Sequence, residues 1–309
     1  MTTSRKPMLL DVDTGVDDAM AIGLASRLDR HELVAITTVA GNVPVDATTR
    51  NTRAVAGWLG LDVPIHAGMD RPLFRELHDA REHHGEAGLG DWQPDVALAP
   101  LSDVTAPEAI VRLAREHRGD ITFVFVGPLT NLAVALSLEP RLVDWVDRLV
   151  IMGGAFFKPG NMTRYAEFNI YVDPDAAQRV ADAGFRATWV GLDVTQQTTM
   201  TRHDWDSLDG ATAPGAVLVR EMTRRMLVDL GRPAANLHDP LAVAVAEDPS
   251  LVGMSDGLVV VETTEPGRGR TRLAECSPGD SRASVCRTVD NVAFRSLFAR
   301  ISGEFPPPA

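Results

Sequence analysis

Two cysteines, Cys276 and Cys286, are all the chain offers for cross-linking. That excludes a disulfide-stapled secreted scaffold and points to a reduced, cytoplasmic protein. Lysine is equally scarce, with Lys6 and Lys158 the only examples. No Lys/Arg block occurs, and 30 basic residues face 42 acidic ones for a formal charge of −12. A nucleic-acid groove works by neutralising phosphates, so nucleic acid is not an expected partner. A secretory leader is not expected either, because Arg5 and Lys6 precede only a short apolar stub before Asp11. One stretch, Ile121–Leu138, is uncharged and long enough to span a bilayer. Gly127-Pro128 breaks its middle, and Thr122, Thr130, Asn131 and Ser137 interrupt it. A buried strand, a turn and a helix account for it better, and no membrane partner is expected.

What is present is an ordinary apolar fraction, 45% of 309 residues. A chain of this size can bury roughly 75% of its unfolded surface, which excludes disorder of the body. Runs fit for buried strands fall at Met8–Val12, Leu33–Ala40, Val63–Ala67, Ile121–Val126, Leu149–Met152, Thr188–Leu192 and Leu258–Glu262. Helical segments lie between them. They are Val16–Leu28, Pro44 to about Leu59, Pro107–His117, Leu129–Leu138, Pro174 to about Ala183, Gly215–Leu230, a helix capped by Asp239-Pro240, and Asp290–Arg300. Arg75–Trp92 and Thr195–Thr212 read as polar loops. Apolar strands alternating with helices predict an α/β fold: an open, mostly parallel, Rossmann-like sheet with helices on both faces. One domain spanning 1–309, frayed at about 1–6 and 304–309, is the economical reading. In such sheets the ligand crevice lies at the carboxyl ends of the strands.

The strongest chemical signal stands at that place, after the first strand: Asp11-Val12-Asp13-Thr14-Gly15-Val16-Asp17-Asp18. Gly15 permits a sharp turn, and Asp17 and Asp18 open the following helix. Each pair of carboxylates ~5 Å apart costs about 3 kcal/mol at an effective dielectric of ~20. The helix dipole returns only ~0.3–1 kcal/mol per acid. Repulsion wins unless protons or a cation intervene, so the cluster asks for a hard divalent cation with oxygen ligands, Ca²⁺ or Mg²⁺. The plain alternative is that these are turn and helix-start acids.

The Asp11-x-Asp13 start also resembles that of the haloacid-dehalogenase-like phosphatases, which open on Asp-x-Asp-x-Thr, although Gly15 stands here in the place of that Thr; the first Asp, here Asp11, would be a nucleophile and Mg²⁺ the cofactor. Those enzymes need a later Lys for the phosphate, and Lys158 in a Phe-Phe-Lys-Pro loop is the only one left to serve. The same opening resembles the nucleoside hydrolases of the inosine/uridine-preferring type. Further motifs follow in that family's order: Val39-Ala40-Gly41-Asn42, Ile65-His66-Ala67-Gly68, His84-Gly85-Glu86-Ala87-Gly88-Leu89 and Gly127-Pro128-Leu129-Thr130-Asn131. After them come Met152-Gly153-Gly154, Gly160-Asn161, Ala166-Glu167-Phe168-Asn169, Asp173-Pro174 and His238-Asp239-Pro240-Leu241-Ala242. The likeness runs from residue 8 to about 250; the remainder adds only a final strand and helix.

The resemblance implies a Ca²⁺-dependent enzyme that hydrolyses the N-glycosidic bond of a ribonucleoside to ribose and free base, assembled as a dimer or tetramer. By motif, Asp13, Asp18, the backbone carbonyl of Thr130 and Asp239 would hold the ion. Asp17, Asn169 and Asp239 would grip the 2′- and 3′-hydroxyls, and Asn161 and Glu167 the 5′-hydroxyl. Asn42 would line the ribose site, Met152 would pack beneath the sugar, and His84 would stand near it. Asp11 would orient the cluster from behind. The chemistry suits these residue types: an oxocarbenium-like transition state needs electron-rich surroundings and a deprotonated water, with Asp13 as general base. His238, beside Asp239, is the candidate proton donor to the departing base.

Several of these residues carry a structural reading as well. Asp239 before Pro240 has the form of a helix cap followed by proline at the first helical position. Glu167 and Asn169 would share one face of an extended segment, Phe168 and Ile170 the other. From Ala216 to Leu237 the chain has no Tyr, Phe or Trp, where the family often places an aromatic against the base. Phe156, Phe157, Tyr165 or Trp205 could stand in. A Ca²⁺-bearing nucleoside-binding protein without turnover is the non-enzymatic alternative.

Overall fold

The computed structural model describes residues 5–302 apart from Pro278. The far ends expected to fray lie mostly outside the described residues, but Lys6 does not fray: it opens the first strand and pairs with His31 of the second. Among the described residues there are eleven strands: β1 Lys6–Val12, β2 His31–Thr38, β3 Ile65–His66, β4 Thr122–Phe125, β5 Arg148–Met152, β6 Ala187–Val190, β7 Thr199–Thr201, β8 Ala234–Asn236, β9 Val252–Val261, β10 Thr271–Ala274 and β11 Ala283–Val289. Nine form one sheet in the order β10-β9-β11-β6-β5-β4-β1-β2-β3, and β7 and β8 make a separate pair.

Neighbours from β3 through β11 run parallel, and β9 alone runs the other way, pairing antiparallel with both β11 and β10. The chain steps outward from β1 to β2 and β3, then returns to the other side of β1 for β4, β5 and β6. That reversal between β1 and β4 is a topological switch point, where an open parallel sheet leaves a crevice at its carboxyl edge. Asp13 follows β1 there, and Gly127 follows β4.

The strands are apolar on both sides because both faces are covered. Met8, Leu10 and Val124 pack into one core cluster, and Leu9, Phe123 and Phe125 into the other. This is the period of two expected of a strand sandwiched between helical layers. Helices Val16–Ala25, Pro214–Arg224 and His238–Glu247 supply the first layer; Ala106–Glu116, Thr130–Leu138 and Pro174–Asp182 supply the second. Local chemistry sets several starts. Thr105 and Glu108 form a capping box, and Asp173 and Asp290 accept the first amides of their helices.

Four expectations need correction. Asp239 is not the cap of its helix: Leu237 is, so Asp239 and Pro240 lie inside the first turn. Glu167–Ile170 is not extended; Glu167 caps a short helix, Phe168–Val172, by accepting the amides of Asn169 and Ile170. The chain's last part holds three antiparallel-paired strands, β9 to β11, instead of one. The segments Thr195–Thr212 and Arg75–Trp92 are not wholly loop, since the first contains β7 and the short helix Arg202–Asp206 and the second the one-turn helix Arg81–His84.

Candidate active site

A cavity of about 480 Å³ opens at the carboxyl edge beside β1 and β4. The turn after β1 puts the acids there. Asp18 reaches back so that its carboxylate accepts the amides of Asp13 (3.0 Å) and Gly15 (2.9 Å), closing the turn before helix Val16–Ala25. Asn42 locks the same two acids together: its side chain donates to Asp18 at 3.0 Å and its backbone amide to Asp13 Oδ2 at 2.8 Å. Asp239, on the first turn of its own helix, completes the group. Carboxylate oxygens of Asp17, Asp18 and Asp239 lie within 4.8 Å of one another.

Burial is the first cause of every shift in this cluster. Asp18 is pushed up to about 7 by burial and then by the charge of Asp17. Asp13 and Asp239 are raised well above the usual carboxylate range by burial and by the neighbouring carboxylates. Asp17 is raised by burial, with His238 and nearby amides pulling the other way. Four acids that resist ionisation together, offering only carboxylate oxygens, fit a hard divalent cation, because its charge removes the repulsion that holds them up. The convergent trio includes Asp17, which the motif reading assigned to the sugar, and does not include Asp13.

Asp13, Asp17, Asn42, His84, Met152, Asn161, Glu167, Asn169, His238 and Asp239 all line the cavity, so ten residues scattered from 13 to 239 converge on one site. Asp18 lies beneath it, fully buried. Thr130 opens helix Thr130–Leu138, with its hydroxyl donating to Asp173 at 2.7 Å. Asp11 is also fully buried, and its Oδ2 accepts from Thr37 (2.6 Å) and Asn131 (2.8 Å). A nucleophilic Asp11 would need access to the cavity, and Asp11 is not part of its lining.

Glu167 spends its oxygens on backbone amides: Oε1 takes Asn169 (2.8 Å), and Oε2 takes Gly154 (3.0 Å) and Ile170 (3.1 Å). The Asn169 amide nitrogen donates to the carbonyls of Val126 and Met152, which leaves its amide oxygen to face a ligand. Asn161 accepts the amide of Phe168 at 3.0 Å. Toward the far end, Nδ1 of His84 accepts the amide of Val16 at 3.1 Å. A backbone amide only donates, so Nδ1 carries a lone pair and the proton sits on Nε2. Burial pushes His84 down to about 3, with His83 and Arg225 adding to it.

His238 pairs through Nδ1 with the hydroxyl of Thr195 at 2.7 Å. Burial lowers its pKa, and the charge of Asp17 opposes the shift. Thr195 was not anticipated; nothing in its local sequence marks it, since its partner lies 43 residues away. The cavity is also walled by Met20, Met162, Met222 and Met226, with Phe168 as an aromatic face. Phe156, Phe157, Tyr165 and Trp205 do not line it. Trp205 instead packs under Arg220, 4.1 Å from its ring centre, and Phe157 under Arg287 at 3.6 Å.

An acidic oxygen-donor cluster at the switch point of a Rossmann-like sheet, with amides and histidines around it, defines a small-molecule enzyme of the α/β class. The family model for the inosine-uridine preferring nucleoside hydrolases matches residues 8–296, and the chain belongs to that family. It is 36% identical over 305 residues to the pyrimidine-specific ribonucleoside hydrolase RihA of Shewanella woodyi, covering 96% of this chain and 97% of the relative. To the inosine-uridine preferring nucleoside hydrolase of Crithidia fasciculata it is 40% identical over 266 residues, 84% of each chain. Among solved structures, the purine-preferring ribonucleoside hydrolase of Gardnerella vaginalis superposes with a TM-score of 0.89 at 33% identity, over 96% of this chain and 98% of that one. The plant nucleoside hydrolase PpNRh1 gives the same TM-score at 31% identity, over 97% and 100%. The protein is a hydrolase acting on N-glycosyl bonds. Among the described residues no helix is long and apolar enough to cross a membrane.

Proposed function

We propose that the cavity hydrolyses ribonucleosides to ribose and free base with a calcium ion as cofactor, held by Asp13, Asp18, Asp239 and the carbonyl of Thr130. The observation that carries this reading is the buried acid group, whose oxygens on Asp17, Asp18 and Asp239 converge within 4.8 Å. Bound there, the cation supplies positive charge that lowers the pKa of a neighbouring water and attracts sugar hydroxyls. The chain's own groups do the rest. Asp13, with Oδ2 occupied by the amide of Asn42, keeps Oδ1 to take a proton from the attacking water. Asp17, Asp239 and the amide oxygen of Asn169 accept from the 2′- and 3′-hydroxyls, while Asn161 and Glu167 hold the 5′-hydroxyl. Asn42 and Met152 shape the floor under the furanose.

Carboxylates gathered around the sugar favour the positive charge that develops on it as the bond to the base lengthens. His238, oriented by Thr195, hands a proton to the departing base. His84 offers its Nε2–H as a fixed donor nearby. The relatives' names divide between pyrimidine-specific, inosine-uridine preferring and purine-preferring, so membership in the family does not choose the base. A homo-oligomer working in nucleoside salvage in the cytoplasm completes the proposal, and the two unpaired thiols suit a reducing compartment.

The test is a panel of inosine, uridine, cytidine and adenosine, assayed for reducing sugar with chelator and with Ca²⁺ added back. Ribose release that stops with chelator and returns with Ca²⁺ is expected. No ribose from any nucleoside, with Ca²⁺ shown to be bound, rules the reading out.

A further inference from the structure

The helix Pro214–Arg224 does not end cleanly; it runs on as a π-turn, Arg225–Asp229, with the amide of Leu230 reaching the carbonyl of Arg225 at 2.9 Å. Such turns recur beside functional sites. Met222, Arg225 and Met226 stand three and four residues apart, so they share a face. Met222 and Met226 use that face to wall the cavity. Arg225 reaches across it instead. Its Nε donates to the carbonyl of His83 at 3.2 Å and its Nη2 to that of Glu82 at 3.1 Å.

Those two carbonyls belong to the one-turn helix Arg81–His84 on the opposite wall. The amides of His84, Gly85 and Gly90 are spent on Ala80, Arg81 and His84, and among the described residues no backbone amide reaches Glu82 or His83. A helix end leaves such carbonyls over, and a forked cation satisfies two at once while complementing the dipole. The next side chain is His84, whose ring is held from the other side by the amide of Val16.

We infer that Arg225 is a positioning residue that ties the two walls of the cavity together and sets the place of His84 beside the leaving base. The inference rests on the nucleoside-hydrolase reading for what is lost when the tie is cut. Arg224 is the internal control, since it sits on the same helix but faces Asp229 at 3.8 Å. A lysine at 225 keeps the charge but not the fork, so it restores only part of the function.

Steady-state kinetics on the best nucleoside of the panel would compare Arg225→Ala, Arg225→Lys, Arg224→Ala, His84→Ala and the Arg225→Ala/His84→Ala pair. Arg225→Ala is expected to lower kcat/KM about three- to tenfold, no more than His84→Ala itself, Arg225→Lys by less, and Arg224→Ala by no more than about twofold. The paired variant is expected to be no worse than His84→Ala alone, because both changes remove one effect. Losses that multiply in the pair, or equal losses from Arg224→Ala and Arg225→Ala, overturn the inference. Hydrogen exchange gives a readout independent of turnover: amides of residues 80–86 are expected to exchange faster in Arg225→Ala than in Arg224→Ala, and equal protection overturns the tie. Should Arg225→Ala fail to fold, Arg225→Lys against Arg224→Ala carries the same comparison. A wild-type protein that cleaves no nucleoside defeats the hydrolase reading, and the exchange measurement still decides the tie.

Discussion

Oε2 of Glu247 lies 2.8 Å from Nδ1 of His31, with both side chains buried at the edge of the sheet opposite the cavity. The Oε1 atom of the same carboxylate accepts the amides of Asp29 (3.1 Å) and Arg30 (2.9 Å), and Nε2 of His31 meets the hydroxyl of Thr122 at 3.2 Å. One carboxylate thus joins the C-terminus of helix His238–Glu247 to the starts of β2 and β4. That helix carries His238 and Asp239 at its other end, so the network anchors the strut that presents two site residues.

Burial by itself would raise the pKa of Glu247, but the bonds from His31 and the two amides win and hold it below its ordinary 4.5. A carboxyl with a depressed folded pKa stabilises fully above its unfolded value and loses that contribution as pH falls through the folded one. Glu247→Gln is therefore expected to cost about 1–3 kcal/mol at pH 7. The gap between wild type and variant should narrow as the pH is taken well below 4.5. Urea unfolding at pH 7 and at the lowest pH where both proteins fold measures it; an unchanged gap contradicts the assignment.

His84 gives a prediction of the opposite kind. With Nδ1 taken by the amide of Val16 and burial pushing the group down to about 3, it stays neutral throughout the working range. His84→Ala should lower kcat/KM about tenfold, the scale of a lost hydrogen-bond donor at the leaving group. The shape of the pH–rate profile between pH 5 and 8 should be unchanged, since His84 does not titrate there. Loss of an inflection in that range would mean that His84 exchanges protons after all.

Metal removal bears on stability as well as on turnover. Asp13, Asp18 and Asp239 are buried with the half-buried Asp17 crowded against them, and their mutual repulsion is a standing cost to the fold. Under the calcium proposal, Ca²⁺ at a hundredfold excess over its Kd should stabilise the wild type by about 2.7 kcal/mol. Asp239→Asn removes one crowded charge and one ligand together. In chelator it is expected to melt above the wild type, and added Ca²⁺ should raise its Tm far less. Calorimetry of both proteins with and without Ca²⁺ checks this, and an undiminished shift in Asp239→Asn would free Asp239 of the ligand role.

How far these features could be read in advance depends on the range of the interaction that creates them. The acid cluster was legible because Asp13, Asp17 and Asp18 meet across a single turn. The parallel strands were legible because both faces are buried, which prints near-continuous apolar runs. Strands β10 and β11 hid because they lie at and beyond the margin of the parallel set, where polar residues such as Arg272, Arg287 and Thr288 interrupt the apolar pattern. Glu167 misled for a related reason: alternation over four residues fits an extended segment as well as a capped helix, and only its bonds to Asn169 and Ile170 decide. Contacts such as Thr195 to His238, or Arg225 to Glu82, join residues that only the folded sheet brings together.

The glycine of Val39-Ala40-Gly41-Asn42 has a physical meaning that the motif alone did not disclose. A Cβ on Gly41 would fall 2.1 Å from Oδ2 of Asp13 and 2.8 Å from its Cγ, far inside any tolerable contact. The missing side chain is what lets the amide of Asn42 approach that carboxylate to 2.8 Å. Gly41→Ala should therefore displace Asp13, lowering kcat/KM by about a hundredfold or more while overpacking costs about 1–3 kcal/mol of stability. Gly60 makes the contrasting case: it has a positive φ of 67° at the end of helix Val45–Leu59, with open space where its Cβ would be. Gly60→Ala should cost about 1–2 kcal/mol through backbone strain and leave turnover per folded molecule as it was. Paired kinetics and urea titrations of the two variants separate the effects, and equal activity in both would mean that the position of Asp13 does not govern the rate.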